Sequence, residues 1–166
     1  MIYAIVHADK DWGIGKGNDM MFSIPKDMKF FRETTSGHTV VMGGKTLRSF
    51  PNQKPLKNRV NIVLTRGQVC DECVVVRSFE ELKQEMKRRE NEEIFVIGGG
   101  EIYKELLPYC HGALVTKVDA VGGAEVFFPN LDKDERFVCV EESELIEDNG
   151  YMIRFTKYEN KAVLPL

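Results

Sequence analysis

The chain has 166 residues, 43% hydrophobic and 30% charged, with 23 Lys+Arg against 26 Asp+Glu and a net charge of −3. That length and balance suit one globular domain, residues 1–166, and exclude disorder, collagen and a disulfide-stapled mini-protein. The near-neutral charge leaves no basic footprint for nucleic acid, and no apolar run approaches the ~20 residues that span a bilayer.

Met1 leads directly into the first strand-like run, as expected of a cytoplasmic chain. Short apolar, β-branched runs at 2–7, 39–42, 60–65, 74–77, 94–97 and 113–118 predict strands. Helix-period segments at 25–35, 46–50, 79–89 and 102–107 fall between many of them. After Pro129, runs at 137–142 and 151–158 alternate polar and apolar residues around the turn signal Asp148-Asn149-Gly150. The expectation is an α/β fold. Its core is a single mixed, mostly parallel twisted sheet of about eight strands, flanked by about four helices and closed by a C-terminal antiparallel hairpin. The longest irregular stretch, 8–23, is glycine-rich, and loops of that length in compact domains are often functional lids. The basic run at 83–89 alternates with Glu85 and Glu90 and reads as the solvated face of a helix. Of the four cysteines, Cys70 and Cys73 have CxxC spacing ahead of a strand, with no second pair to complete a zinc site. Free loop thiols are the better reading, with Cys110 and Cys139 far away in sequence.

Asp27 is the first residue that points to chemistry. Pro25 suits the first turn of a helix, and stepping ~100° per residue puts Ile24, Met28, Phe31 and Thr35 on one stripe. Lys26, Lys29 and Glu33 lie opposite, and Asp27 falls on the buried side between Phe30 and Phe31. An acid in a first turn is commonly no more than a partner for the helix dipole. A carboxylate inside an apolar stripe, however, needs a hydrogen-bonding or cationic partner, and a small polar ligand would supply one.

Two glycine-bearing turns follow. A buried strand runs through Gly98-Gly99-Gly100 into a helix, a geometry that brings backbone N–H groups to a phosphate. It is not the dinucleotide fingerprint, which would need glycine where Tyr103 stands. Gly43-Gly44-Lys45-Thr46 also leads from strand to helix, but a P-loop would need glycine in place of Thr39. Arg59 and Arg66 bracket another strand, and a guanidinium fork suits a carboxylate or a phosphate. His7, His38 and His111 have no nucleophile beside them and no HExxH, so hydrolase triads and zinc catalysis drop out.

Together these residues resemble the dihydrofolate reductase family over nearly the whole chain. The resemblance runs from Trp12-Gly13-Ile14-Gly15 and Ile24-Pro25-Lys26-Asp27 with Phe31, through Gly43 with Lys45-Thr46, to Arg59 and Thr65-Arg66. It continues through Ile97 with the three glycines, Glu101, Ile102 and Tyr103, to Thr116 and Phe128-Pro129. It implies NADPH-dependent reduction of 7,8-dihydrofolate to tetrahydrofolate, feeding one-carbon metabolism, by a monomer that also binds antifolate inhibitors. Asp27 would bind the amino-pyrimidine edge of the pterin, with Thr116 in the same network and Phe22 beside it; the N5 proton would arrive through water. Ile5, Val6 and Ile97 would contact the pterin and nicotinamide, Met28, Phe31, Phe50 and Leu56 would enclose the benzoyl ring, and Arg59 would hold the glutamate. The cofactor would meet His7, Ile14, Gly15, Met20, Gly43, Gly44, Lys45, Thr46, Thr65, Arg66, Arg77, Gly98, Gly99, Gly100, Glu101, Ile102 and Tyr103. A cis peptide is implied at Gly98-Gly99, and 8–23 would be the loop that closes over nicotinamide.

Four positions depart from the family pattern. Phe22 replaces the usual Trp and Met21 the usual Pro. Gly44 stands where Arg is frequent, leaving Arg66, Lys45 and Arg77 for the 2′-phosphate. His7 replaces Ala, at a place where the implied contact is through backbone. Two other readings stay open: a related pterin or pyrimidine reductase on the same fold, and a non-catalytic folate- or nucleotide-binding protein. The missing P-loop glycine weighs against a nucleotide kinase.

Overall fold

Two glycine turns that carry strands into helices set the layout of the protein, seen in a computed structural model that describes residues 1–17, 20–69 and 71–166. In chain order the elements are β1 (Ile2–Ala8), β2 (Gly13–Gly15), α1 (Pro25–Thr35), β3 (Thr39–Gly43), α2 (Gly44–Ser49), β4 (Val60–Leu64), β5 (Val74–Val76), α3 (Phe79–Arg88), β6 (Ile94–Gly98), α4 (Gly100–Leu106), β7 (Gly112–Val118), β8 (Val126–Phe127), β9 (Phe137–Glu142), β10 (Ile146–Asp148) and β11 (Tyr151–Asn160). The main sheet has the order β10-β11-β7-β1-β6-β3-β4-β5, with β9 added on β11. From β7 to β5 every pairing is parallel, and β11 joins β7 antiparallel. The expected mixed, mostly parallel sheet with four flanking helices is present.

The chain moves outward from β1 to β5, then returns through β6 to β7 on the far side of β1. Right-handed crossovers made in opposite directions put the connecting helices on opposite faces. Strand alternation matches this. Ile5, Val40, Met42, Val63 and Phe95 form one core with Phe30 and Phe31 of α1 and Leu47 of α2. Ala4, Val41, Ile62, Val96 and Val115 form the other with Leu82 and Met86 of α3 and Ile102 and Leu106 of α4. All parallel strands end on the same side, where ligands of such sheets bind.

Several expectations are corrected. The hairpin across Asn149-Gly150 joins β10 to β11, not 137–142 to 151–158. Strand β9 instead pairs with the later half of β11, on both sides of a register shift at Lys157/Tyr158. A ten-residue β11 is long enough for both partners. The stretch 8–23 is not wholly irregular, because β2 within it pairs antiparallel with β8. Helices α2 and α4 start at Gly44 and Gly100, two residues earlier than their periodicity indicates, since the glycines enter the first turn. Glu85 does not sit on a solvated face; it is buried and takes hydrogen bonds from Arg88 and Arg89. Met28 is 48% exposed, because α1 seats through Phe30, Phe31 and Thr35 and its contact line passes to one side of it. Cys70, and with it the CxxC spacing, lies outside the described residues.

Gly112 opens β7 where three strands crowd together. A Cβ there would lie 2.2 Å from the Tyr158 carbonyl oxygen and 2.6 Å from the Tyr3 ring. Gly112→Ala is therefore expected to destabilise the fold by about 2–3 kcal/mol, read as a lower thermal midpoint. A midpoint within one degree of the wild type would show that β11 can shift freely.

Candidate active site

The local sequence of α1 explains why Asp27 is held where it is. Pro25 occupies the first helical position, Ile24 before it is buried, and the backbone N–H groups of Asp27 and Met28 both donate to the Ile24 carbonyl. This turn aims Asp27 at the ends of β1 and β7. Thr116 Oγ1 donates to Asp27 Oδ1 at 2.6 Å, and His7 Nδ1 lies 3.0 Å from Oδ2. His7 and Thr116 are register partners on adjacent strands, so one rung of the sheet holds both carboxylate oxygens. The Asp27 side chain is 14% exposed and the His7 side chain 8%. The implied backbone-only role of His7 is thus incomplete. Alternation gives the reason: His7 lies two residues beyond Ile5 and shares its face.

Phe22 packs on this group, its ring centroid 6.0 Å from that of His7 and 5.0 Å from that of Tyr151. Met21 and Phe22 lie against Gly122, whose Cβ would fall 2.8 Å from the Met21 sulfur. Ile5 and Ile97 line the same face of the sheet, and Phe31, Phe50 and Leu56 pack around it. Met28 stays apart from that cluster. Val6 points to the opposite face, so the cleft meets its backbone only.

Arg59 lies at the far end of α1. Its Nη1 donates to Thr35 Oγ1 at 2.9 Å and its Nε to the Lys57 carbonyl at 2.8 Å. Thr35 in turn donates to the Phe31 carbonyl. Burial, and next the Arg32 guanidinium, push Arg59 below its usual value without discharging it. Three of its five N–H donors remain for an anion.

The two glycine turns meet between β3 and β6. The Gly98-Gly99 peptide is cis, as the resemblance implies, and Gly98 has φ +130°. A Cβ on Gly98 would stand 3.4 Å from Thr46 Oγ1, and one on Gly43 would stand 3.3 Å from Ile102. Gly99 precedes α4 and Gly100 begins it; a side chain on Gly100 would strike Val126 of β8. Lys45 and Glu101 are exposed near these turns. Tyr103 is buried on the other face and donates to the Ile5 carbonyl at 2.7 Å. Burial, and next the Asp27 charge, raise its phenol far above its usual range.

Beyond β4, Arg77 Nη1 donates to the carbonyls of Thr65 and Gly67 at 3.0 and 2.6 Å. A Cβ on Gly44 would lie 2.6 Å from Thr65 Oγ1 and 3.1 Å from Arg48 Nη1. Arg48 thus reaches back one turn of α2 and covers Gly44, as helical side chains do. With exposed Arg66 it completes a group of three guanidiniums around the Thr65 turn. Among the described residues none of the three has a carboxylate at ion-pair distance. Sequence reasoning missed Arg48; its signal was the i, i+4 spacing from Gly44.

Ile14 and Gly15 belong to β2, whose edge is tied to the 122–128 segment. Glu125 N–H donates to the Gly15 carbonyl, and Gly17 N–H to Glu125 Oε1 at 2.6 Å. Asp9 accepts from the backbone of Asp11, Gly13 and Gly122, closing the base of the loop. Met20 is exposed beyond it. Among the described residues no cluster of three or more His, Cys, Asp or Glu could hold a metal ion. No helix among them is long and apolar enough to cross a membrane.

A part-buried carboxylate among apolar walls, a guanidinium beside the far end of its helix and a cationic turn beside a glycine-lined crevice suit a long ligand next to a phosphorylated one. Comparison with known proteins agrees. The dihydrofolate reductase family profile matches residues 1–160. The chain is 35% identical to a dihydrofolate reductase of Bacillus subtilis, covering 97% of this chain and 95% of the relative. It is 36% identical to one of Staphylococcus haemolyticus over 95% of both chains. It is also 37% identical to one of Haemophilus influenzae, over 86% of this chain and 88% of the other. The chain belongs to the dihydrofolate reductase family, oxidoreductases that reduce dihydrofolate to tetrahydrofolate with a nicotinamide cofactor.

Proposed function

We propose that this chain reduces 7,8-dihydrofolate with NADPH, binding the substrate along α1 and the cofactor across the glycine turns. The observation that carries the substrate reading is the spacing of Asp27 and Arg59. Thr35, which holds Arg59, lies eight residues after Asp27, or about 12 Å along the helix axis. That span suits a pterin at one end and a glutamate at the other, with Phe31, Phe50 and Leu56 beside the ring between them. The Asp27 carboxylate presents two acceptor oxygens to parallel N–H donors of the pterin and favours a proton at N5. A diaminopyrimidine antifolate offers the same donors and would bind there too.

The bound nicotinamide supplies the hydride that reaches pterin C6. The donor set around the Thr65 turn fits a phosphate dianion, and the crevice at Gly98-Gly99 fits a backbone-contacting pyrophosphate. We assign the 2′-phosphate to Arg48, Arg66 and Arg77 with Thr65, and the pyrophosphate region to Lys45, Thr46, Gly99 and Gly100.

Purified protein is expected to oxidise NADPH only when dihydrofolate is present, and NADH more weakly. Absence of turnover at high enzyme concentration would overturn the reading. Arg48→Ala should weaken NADPH binding by about 10- to 100-fold, the worth of one or two charge-assisted hydrogen bonds, and leave NADH nearly unchanged. Calorimetric titration with 2′,5′-ADP measures the same loss without turnover. Equal weakening of both cofactors would place the 2′-phosphate elsewhere.

A further inference from the structure

We propose that His7 is a positioning residue of the reduction centre: its imidazole holds Oδ2 of Asp27, so the carboxylate enters the reaction as half of a His7–Asp27 pair. The proposal rests on the substrate reading above and adds a residue to it. His7 transfers no proton to the substrate in this scheme; it acts through Asp27.

Four observations carry it. The contact is direct, at 3.0 Å, and joins two side chains that are 8% and 14% exposed. A hydrogen bond to an ionised group in such a setting is stronger than the same bond in water. The ring is also held from the other side. Phe22 lies tilted against it, backed by Tyr151 and by the Gly122 backbone, so the imidazole has little room to turn away. Thr116 holds the second oxygen at 2.6 Å from the adjacent strand, fixing the plane of the carboxylate.

The last observation is that other charged groups nearby are engaged elsewhere. On α1, Lys26 turns outward to the Glu147 carbonyl. Asp9, two residues beyond His7, is taken up by three backbone N–H groups. On β7 and β11, Lys117 pairs with Asp132, and Arg154 with Glu142. Tyr103 of α4 donates its hydrogen bond to the Ile5 carbonyl. Among the described residues His7 is therefore the cation-capable group at this carboxylate.

The test combines two readouts. In NMR spectra at neutral pH, Asp27→Asn should shift the His7 imidazole signals, because the ring loses its carboxylate partner. In kinetics, His7→Ala should lower kcat by about tenfold, the worth of one hydrogen bond to a charged group, with KM for dihydrofolate little changed. His7→Gln keeps an N–H donor. It should restore most of the lost kcat. Thermal midpoints of both variants show whether β1 is intact, and the Gln variant serves if the Ala variant fails to fold. Imidazole signals indifferent to Asp27→Asn overturn the proposal whatever the turnover, as does wild-type kcat in both His7 variants. Failure of the dihydrofolate reading would register separately, as wild-type protein that does not oxidise NADPH.

Discussion

Replacing Asp27 by Asn is expected to lower turnover at pH 7 by about 10²- to 10⁴-fold, the usual worth of a positioned acid–base group. The fold should survive. Asn has nearly the same shape; its carbonyl can accept from Thr116, and its amide can donate to the imidazole nitrogen of His7 that now faces Oδ2. The loss is therefore chemical. Without a negative charge at the pterin edge, nothing in the cleft favours a proton at N5. The variant should regain part of its rate in acid, where the substrate is protonated from solution. Steady-state rates between pH 5 and 8, beside circular dichroism and a thermal melt, check this. An Asn variant as active as wild type at pH 7 would remove Asp27 from the reaction.

Arg59→Ala should act on the other end of the substrate and split the kinetic constants differently. Arg59 keeps three donors after its bonds to Thr35 and Lys57, and burial, then the nearby Arg32, lower its pKa. Two close guanidiniums favour an anion between or beside them. Losing a charge-assisted contact of about 1.5–3 kcal/mol should raise KM for dihydrofolate by about 10- to 100-fold, with kcat little changed. A dihydropterin that lacks the glutamate should not distinguish the variant from wild type. If it does, Arg59 acts on the fold or the pterin rather than on a carboxylate.

The strands and helices were legible because their residues carry period 2 or 3.6, but neighbour relations were not. Nothing in the composition of residues 94–97 says that β6 inserts between β1 and β3. The ribbon of β2 and β8 is too short to show any period. At the site, Asp27 and Arg59 could be singled out by residue type, and Thr116 by resemblance. The pairing of His7 with Asp27 follows from alternation along β1, once Ile5 is taken to face the cleft; attention to its backbone obscured that. Arg48 was hidden for the opposite reason. A glycine at 44 reads as a lost cation, whereas a side chain from one turn further along α2 can cover the same place. Met28 shows the limit of a helical stripe, which gives an arc of candidates and not the line on which a helix seats.

The carboxylate network joins Asp27 to His7 across 20 residues and to Thr116 across 89. No single hairpin or helix contains it. It exists only when β1 has paired with β7, with Tyr3 set opposite Gly112 at one end and His7 opposite Thr116 near the other. Non-local pairings of this kind form at a cost in loop entropy and slow the folding of a chain. Binding competence at Asp27 then requires the β1–β7 pairing as well as α1. A ligand seated on Asp27 stabilises only the forms in which that pairing is made, so its effect on the melting temperature reports on the β1–β7 contact.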